Sequence, residues 1–183
     1  MKKLIIFLVL MSISHASEVD WPKNNAVAYV AKKTIFLFKD VKVIGINSNI
    51  AFSKATLNEG VILTMSIPIS DFKTDDKDLD VEVEKILKID KSKFLIFRSD
   101  KISKTDYQSM INGKSMKIKG LLAIGNMNHS VEFQSLTEDQ YILFDFESTF
   151  SNFNMLPPKV AFGLVAKAKD YLLLKARINI NDF

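Results

Sequence analysis

The chain has 183 residues, 48% of them hydrophobic and 25% charged, which is typical of one soluble globular domain. It contains no cysteine and neither a GxxxxGK[ST] nor a GxGxxG pattern, so disulfide scaffolds, cysteine nucleophiles, zinc–thiolate centres and glycine-rich phosphate loops are excluded. The formal net charge of +4, to which two N-terminal lysines contribute, gives no electrostatic indication of nucleic-acid binding.

The N-terminal segment has the layout of a secretory signal peptide. Two lysines precede the apolar residues 4–11, and small residues at Ser14 and Ala16 mark a cleavage site. The apolar run is about half as long as the ~20 residues that a transmembrane helix needs. The sequence therefore predicts a signal peptide over 1–16 and a single mature domain over 17–183. Because the mature domain has no disulfide, we expect it in the bacterial periplasm.

Alternation of apolar and polar residues predicts consecutive β-strands through most of the mature chain. In chain order the segments are residues 27–38, 50–52, 61–68, 94–97, 116–124, 130–134, 142–150 and 172–180. Turn signals such as Asn58-Glu59-Gly60 and Asn112-Gly113 separate several of them. A short turn or helix is expected around residues 41–45.

One segment has the helical period instead. Leu79, Val83, Ile86 and Leu87 lie on one face of a helix, and aspartates crowd its start, where the helix dipole favours negative charge. The pattern predicts one helix at 76–88. About eight antiparallel strands suffice to close a β-barrel, and we expect this helix to cross one mouth of it with Leu79, Val83 and Leu87 facing inward.

The alternation also fixes which side chains point into the barrel. The predicted inward-facing, ligand-binding set is Phe36, Phe38, Phe52, Leu63, Met65, Ile118, Phe133, Phe144, Phe146, Leu174 and Ile178. A slip of one residue would bury the charges of Lys117, Lys119, Asp145, Glu147, Lys175 and Arg177, at several kcal/mol for each unpaired ion. The pattern leaves open whether the interior is hollow or filled by side chains.

No catalytic residue, metal ligand or cofactor site is predicted. His129 is the one histidine of the predicted mature chain, and we expect it to be an exposed turn residue. The aspartates at 75–80 lack the glycine and the distal glutamate of a calcium loop, and helix capping explains them better.

Several motifs resemble those of a known family. Residues 43–45 (Val-Ile-Gly) resemble its Val-x-Gly step, 97–99 (Phe-Arg-Ser) its F-x-S strand, and 120–133 its G-x-L-T-I-x-G-x-T-x-x-V-x-F stretch, although Ala123 replaces the threonine. Over residues 26–181 the order of features is similar to the YceI-like family of secreted lipid-binding proteins, and the chain resembles a divergent member.

The resemblance implies an all-β, closed, antiparallel lipocalin-like barrel that holds a polyisoprenoid or another long amphiphile. We therefore predict a non-enzymatic periplasmic carrier whose partner is a long-chain apolar or amphiphilic small molecule, with no nucleic-acid partner, no membrane span after cleavage, and a homodimer left open. Two alternatives remain: a lipid-modifying enzyme, and a partner-binding module with a filled core. The identity, chain length and head group of the ligand are not predicted.

Overall fold

The computed structural model describes residues 19–35, 39–158 and 166–183. The predicted signal peptide lies outside these residues. Within them the strands are β1 (Ala26–Ile35), β2 (Lys39–Asn47), β3 (Ala51–Leu57), β4 (Gly60–Pro68), β5 (Phe94–Ser99), β6 (Ile102–Ser103), β7 (Met116–Ile124), β8 (Met127–Glu138), β9 (Tyr141–Ser148) and β10 (Ala166–Asn179). The helices are α1 (Lys77–Ile86) and α2 (Lys104–Ile111), and 3-10 turns lie at Ile69–Asp71, Ser151–Phe153 and Ile180–Asp182.

The strands form one antiparallel sheet that curls into a half-barrel. Their order is β2-β1-β10-β9-β8-β7-β5-β4-β3, with β6 paired to β4. Among the described residues, one isolated bridge joins Ile46 of β2 to Lys73, which lies outside the named strands. The predicted all-β, antiparallel, lipocalin-like class is confirmed, with ten described strands rather than about eight, and the hydrogen-bonded ladder runs from β2 to β3 without pairing those two strands.

Burial follows the predicted register. On β4, Val61, Leu63, Met65 and Ile67 are all buried, as the alternation requires. The charged residues of the intervening positions lie on the outer face, where Glu132 pairs with Lys117 at 2.6 Å. The prediction that the charges at alternate positions stay out of the barrel is confirmed.

The N-terminal segment covers part of the outer face of the sheet. Val19 packs in a small second cluster with Ala28 and Val30 of β1, and Trp21 packs against it. The first six residues of β1, Ala26 to Ala31, are therefore buried on both faces. This explains why that half of the strand is apolar and shows no clear alternation.

The sequence predicted one of the two helices but not the other. The predicted helix at 76–88 is confirmed as α1, which is capped by the Asp76 carboxylate through the backbone N–H groups of Asp78 and Leu79 and ends at Ile86. Helix α2 was not predicted, and the turn or helix expected at 41–45 is wrong, because those residues belong to β2. No described helix is long and apolar enough to cross a membrane.

Candidate ligand-binding cavity

The inner face of the sheet and helix α1 surround an apolar cavity of about 110 Å³. Every strand from β1 to β10 except β2 and the short β6 contributes to its lining, as do α1 and the segment after β9. Of the described lining residues, Tyr29 and Lys175 alone carry polar side-chain groups. Lys175 alternates with the inward-facing Leu174 and Ala176 on β10, so its side chain points to the outer face, where its ammonium is 2.7 Å from the Asp145 carboxylate of β9 and its charge is paired. The space is therefore suited to an apolar guest.

The predicted ligand-binding residues fall into three groups. Those that line the cavity are Phe52, Leu63, Met65, Phe133, Phe144 and Leu174. Ile118 and Ile178 are buried in the core without lining it, and Phe146 is half-buried against the rings of Phe133 and Phe153. Phe36 and Phe38 lie outside the described residues. That any of these residues binds a ligand stays a prediction.

The face of α1 toward the cavity is shifted from the expected one. Val83 and Leu87 line the cavity as predicted, but Ile86 takes the place expected for Leu79. Leu79 packs against the core beside the cavity instead. Because α1 begins at Lys77, Leu79 lies in its first turn, whereas Val83 and Ile86, which line the cavity, lie in its second half.

Alternation placed Phe150 in the predicted strand 142–150, but it could not find Phe153 and Met155, which lie outside regular strands. Phe150, Phe153 and Met155 follow β9 and are all buried. A 3-10 turn brings them together, because the backbone N–H groups of Phe153 and Met155 both bond the Phe150 carbonyl at 3.0 Å. The sequence signal that could have located them is the spacing of the apolar residues at i, i+3 and i+5 within an otherwise polar stretch. That spacing fits neither a strand nor a long helix.

Aromatic rings form a continuous wall along one side of the interior. Phe97 meets Phe133 edge-on at 5.3 Å between centroids, Phe133 meets Phe146 at 5.6 Å, and Phe146 meets Phe153 at 6.3 Å. Such pairs add about 0.5–1.5 kcal/mol each beyond area burial. The overuse of phenylalanine in the sequence thus serves both core packing and the cavity surface.

Four buried side-chain atoms of the described residues lack a hydrogen-bond partner, and two of them, the Tyr29 hydroxyl and His129 Nε2, belong to residues on the inner face of the sheet. The Tyr29 hydroxyl is buried and has no hydrogen-bond partner among the described residues. Burial, and secondarily the Asp80 charge, raise the pKa of Tyr29 well above its usual value, so the phenol stays neutral. A buried hydroxyl without a partner costs about 1–3 kcal/mol.

The second group is His129, which was expected to be an exposed turn residue. That expectation is wrong: His129 lies within β8 on the inward parity, its ring meets Phe153 at 5.1 Å, and its Nε2 is buried without a described partner. Burial, followed by the nearby Lys88 charge, lowers the pKa of His129. No carboxylate or nucleophile is described in contact with the ring, as acid–base catalysis would require.

No site for a metal ion is found in the part of the chain that the structure describes. There, no group of three or more His, Asp or Glu side chains is placed to hold such an ion. The chemistry that the described cavity offers is thus apolar burial together with one hydroxyl donor.

Three solved structures share this fold over most of the chain. BcnA from Burkholderia cenocepacia gives a TM-score of 0.60 at 16% identity, covering 84% of this chain and 94% of its own. The YceI protein of Campylobacter jejuni gives 0.54 at 13% identity, covering 97% and 96%. A polyisoprenoid-binding domain of Saccharophagus degradans implicated in plant cell wall breakdown gives 0.55 at 6% identity, covering 84% and 91%. No protein-family model and no curated protein sequence matches the chain.

The chain has the YceI-like fold. The resemblance found in the sequence is thus confirmed at the level of the fold. The motifs that carried it also have structural roles here, because Gly45 of the Val-x-Gly step and Gly120 both lie where a neighbour leaves no room for a Cβ atom. At Gly45 that neighbour is the Tyr29 ring, and at Gly120 it is the Arg98 carbonyl.

Proposed function

We propose that this protein binds a long-chain apolar or amphiphilic molecule inside its YceI-like half-barrel and acts as a carrier rather than as an enzyme. This proposal rests on the cavity. Its lining among the described residues is apolar apart from the Tyr29 hydroxyl and Lys175, whose charge is paired with Asp145. A neighbour in fold is a polyisoprenoid-binding domain, which supports a guest of this class. No reacting group is required, since the site works by removing a tail from water.

The energetics favour a tail longer than the present cavity holds. Each buried CH₂ gains about 0.8 kcal/mol, and association costs must be met before binding is tight. The volume of about 110 Å³ is below the ~150 Å³ that accommodates benzene in an apolar protein interior. A long tail must therefore displace side chains, and Met65, Met155 and Leu87 in the lining are the flexible ones that could move.

We further propose that the carrier works in the periplasm after cleavage of a signal peptide at residues 1–16. The support is the basic start, the short apolar run and the small residues before the cleavage point. N-terminal sequencing of the protein from a periplasmic fraction should begin at Ser17. Recovery of the chain only in the cytoplasm, still starting at Met1, would refute this.

A second candidate function rests on the outer surface. Phe94, Ile96 and Leu121 are exposed large apolar residues on the outer faces of the neighbouring strands β5 and β7. Exposed apolar patches often mark interaction sites, so a partner-binding module with a largely filled interior is the competing account. The small cavity volume favours this reading, and ligand binding decides between the two.

The test is a titration of a fluorescent fatty-acyl or isoprenoid probe into wild type and two matched variants. Ala176 lines the cavity, so Ala176→Leu should fill it and weaken probe binding by at least tenfold. Ala123 lies on β7 at an outward-facing position, so Ala123→Leu adds the same atoms outside the barrel and should leave binding unchanged. If wild type takes up no probe, the carrier function fails and the partner-binding module stands.

A further inference from the structure

The Tyr29 hydroxyl is a polar group without a described function inside an otherwise apolar cavity. Tyr29 lies in the middle of β1, lines the cavity and is only 8% exposed. Its hydroxyl is buried and has no hydrogen-bond partner among the described residues. Buried polar groups in folded proteins are nearly always paired, so an unpaired one calls for an explanation.

The ring that carries this hydroxyl is held in place from two sides. Gly45 is its cross-strand neighbour on β2, and a Cβ atom there would come within 2.2 Å of Tyr29 Cε1 and 2.6 Å of its hydroxyl oxygen. The Phe72 ring packs against it at 5.6 Å between centroids. The hydroxyl is therefore fixed by the fold, at a position that the sequence keeps open with a glycine.

Neither the lining nor a lone water molecule can readily pair with it. The other polar side chain among the described lining residues is Lys175, whose ammonium bonds Asp145. An internal water needs two to four polar partners, and apolar cavities stay dry. The missing partner must therefore arrive with the guest.

The surroundings of the hydroxyl also define the charge of that partner. Asp80 is close enough to act on Tyr29 electrostatically, and together with burial it raises the pKa of Tyr29, so the phenol remains an O–H donor. The Asp80 carboxylate is held in place by the Thr74 backbone N–H at 2.8 Å and by its hydroxyl at 2.7 Å. An anionic head group at Tyr29 would meet this like charge with no described cation of the lining left unpaired.

We propose that the Tyr29 hydroxyl donates a hydrogen bond to a neutral carbonyl oxygen on the guest. This inference rests on the proposed carrier function and narrows it: the preferred ligand is an apolar molecule bearing a ketone, aldehyde or ester carbonyl, rather than a bare hydrocarbon or an anionic lipid. The carbonyl end of the guest lies at β1 and β2, and its tail extends along the aromatic wall.

The experiment compares two probes with the same number of heavy atoms, 2-undecanone and dodecane, by displacement of the neutral fluorophore N-phenyl-1-naphthylamine. The ratio of ketone affinity to alkane affinity should be roughly three- to tenfold higher in wild type than in Tyr29→Phe, the effect of one net hydrogen bond. Tyr29→Phe should lower this ratio because it weakens ketone binding alone. Tyr107→Phe removes a hydroxyl that accepts a hydrogen bond from Lys54 away from the cavity, and it should leave the ratio at its wild-type value.

A second readout separates ligand recognition from a structural role of the hydroxyl. Without ligand, Tyr29→Phe should melt at the same temperature as wild type or higher, because it removes an unpaired buried polar group. A lower melting temperature would overturn the proposal, as would a ratio of ketone to alkane affinity that Tyr29→Phe leaves unchanged. If wild type binds neither probe, the carrier function fails and this inference falls with it, whereas the other negative results leave the carrier function intact.

Discussion

The two ends of the half-barrel interior present the same inward-facing pattern but differ in what fills them. At the end beside α2, Met110 of that helix is fully buried together with Ile118, Ile142 and Ile178. At the end beside α1, the inward residues of the same strands, such as Leu122, Phe144 and Leu174, line a cavity. Strand alternation decides which way a side chain points, whereas the helix that covers each end decides whether a cavity remains there.

The polar groups of the two ends differ in the same sense. Ser135, buried near α2, accepts a hydrogen bond from the Met116 backbone N–H at 3.1 Å and donates to the Met116 carbonyl at 3.0 Å. At the cavity end, the Tyr29 hydroxyl and His129 Nε2 have no partner in the described part of the chain. The packed end thus follows the usual rule of satisfied buried groups, and the cavity end departs from it.

The largest expected effect comes from truncating the same residue type at each end. Met110→Ala removes a side chain from the packed end and should lower the free energy of unfolding by about 2–5 kcal/mol. Met65→Ala extends an existing cavity whose lining already lacks contacts, and we expect a smaller loss, about 2 kcal/mol at the low end of that range. Urea unfolding of both variants measures the difference. Equal losses would mean that the cavity end is as tightly packed as the α2 end.

Adding side-chain atoms, rather than removing them, should also affect the stability of the two ends differently. Val61→Leu adds a methylene group at the packed end and should cost about 1–3 kcal/mol through overpacking. Ala176→Leu adds atoms to the cavity and should leave the stability unchanged or raise it, because the space is present. Thermal unfolding without ligand gives both values. A strongly destabilised Ala176→Leu would contradict the presence of usable space at that wall.

The smallest effect concerns pH and is confined to the cavity end. Because burial lowers the pKa of His129 in the folded state, the unfolded chain binds more protons as the pH falls below about 6.5. The contribution of His129 to the free energy of unfolding is therefore fully present above that pH. It is lost as the pH falls toward the lowered pKa that His129 has in the folded state. His129→Phe should show a shallower loss between pH 7 and pH 5 than wild type. Parallel unfolding curves would show that the histidine does not contribute.

Sequence patterns predicted orientation better than they predicted volume. The alternation placed Leu63, Phe133 and Leu174 correctly on the inner face, because a one-residue slip would have buried several charges. It also predicted Ile118 and Ile178 as ligand-binding residues, because nothing in the alternation reveals that α2 fills the interior next to them. Helix α2 itself is only eight residues long, too short for a clear helical period.

The remaining omissions have similar local causes. Tyr29 belongs to the half of β1 that is buried on both faces, so its inward direction could not be assigned from alternation. Phe153 and Met155 lie in a turn after β9, where neither strand nor helix periodicity applies. The turn signals before His129 predicted that it lies in a turn, whereas β8 already starts two residues earlier, at Met127.

The central claim is that the cavity end carries an apolar guest, and native mass spectrometry of the protein purified from its own host tests it most directly. We expect an additional mass on the wild-type protein that organic extraction releases as a long-chain apolar or amphiphilic molecule. That mass should be reduced or absent on Ala176→Leu and retained on Ala123→Leu. A wild-type protein that carries no such mass and takes up no lipid probe in solution would contradict the account.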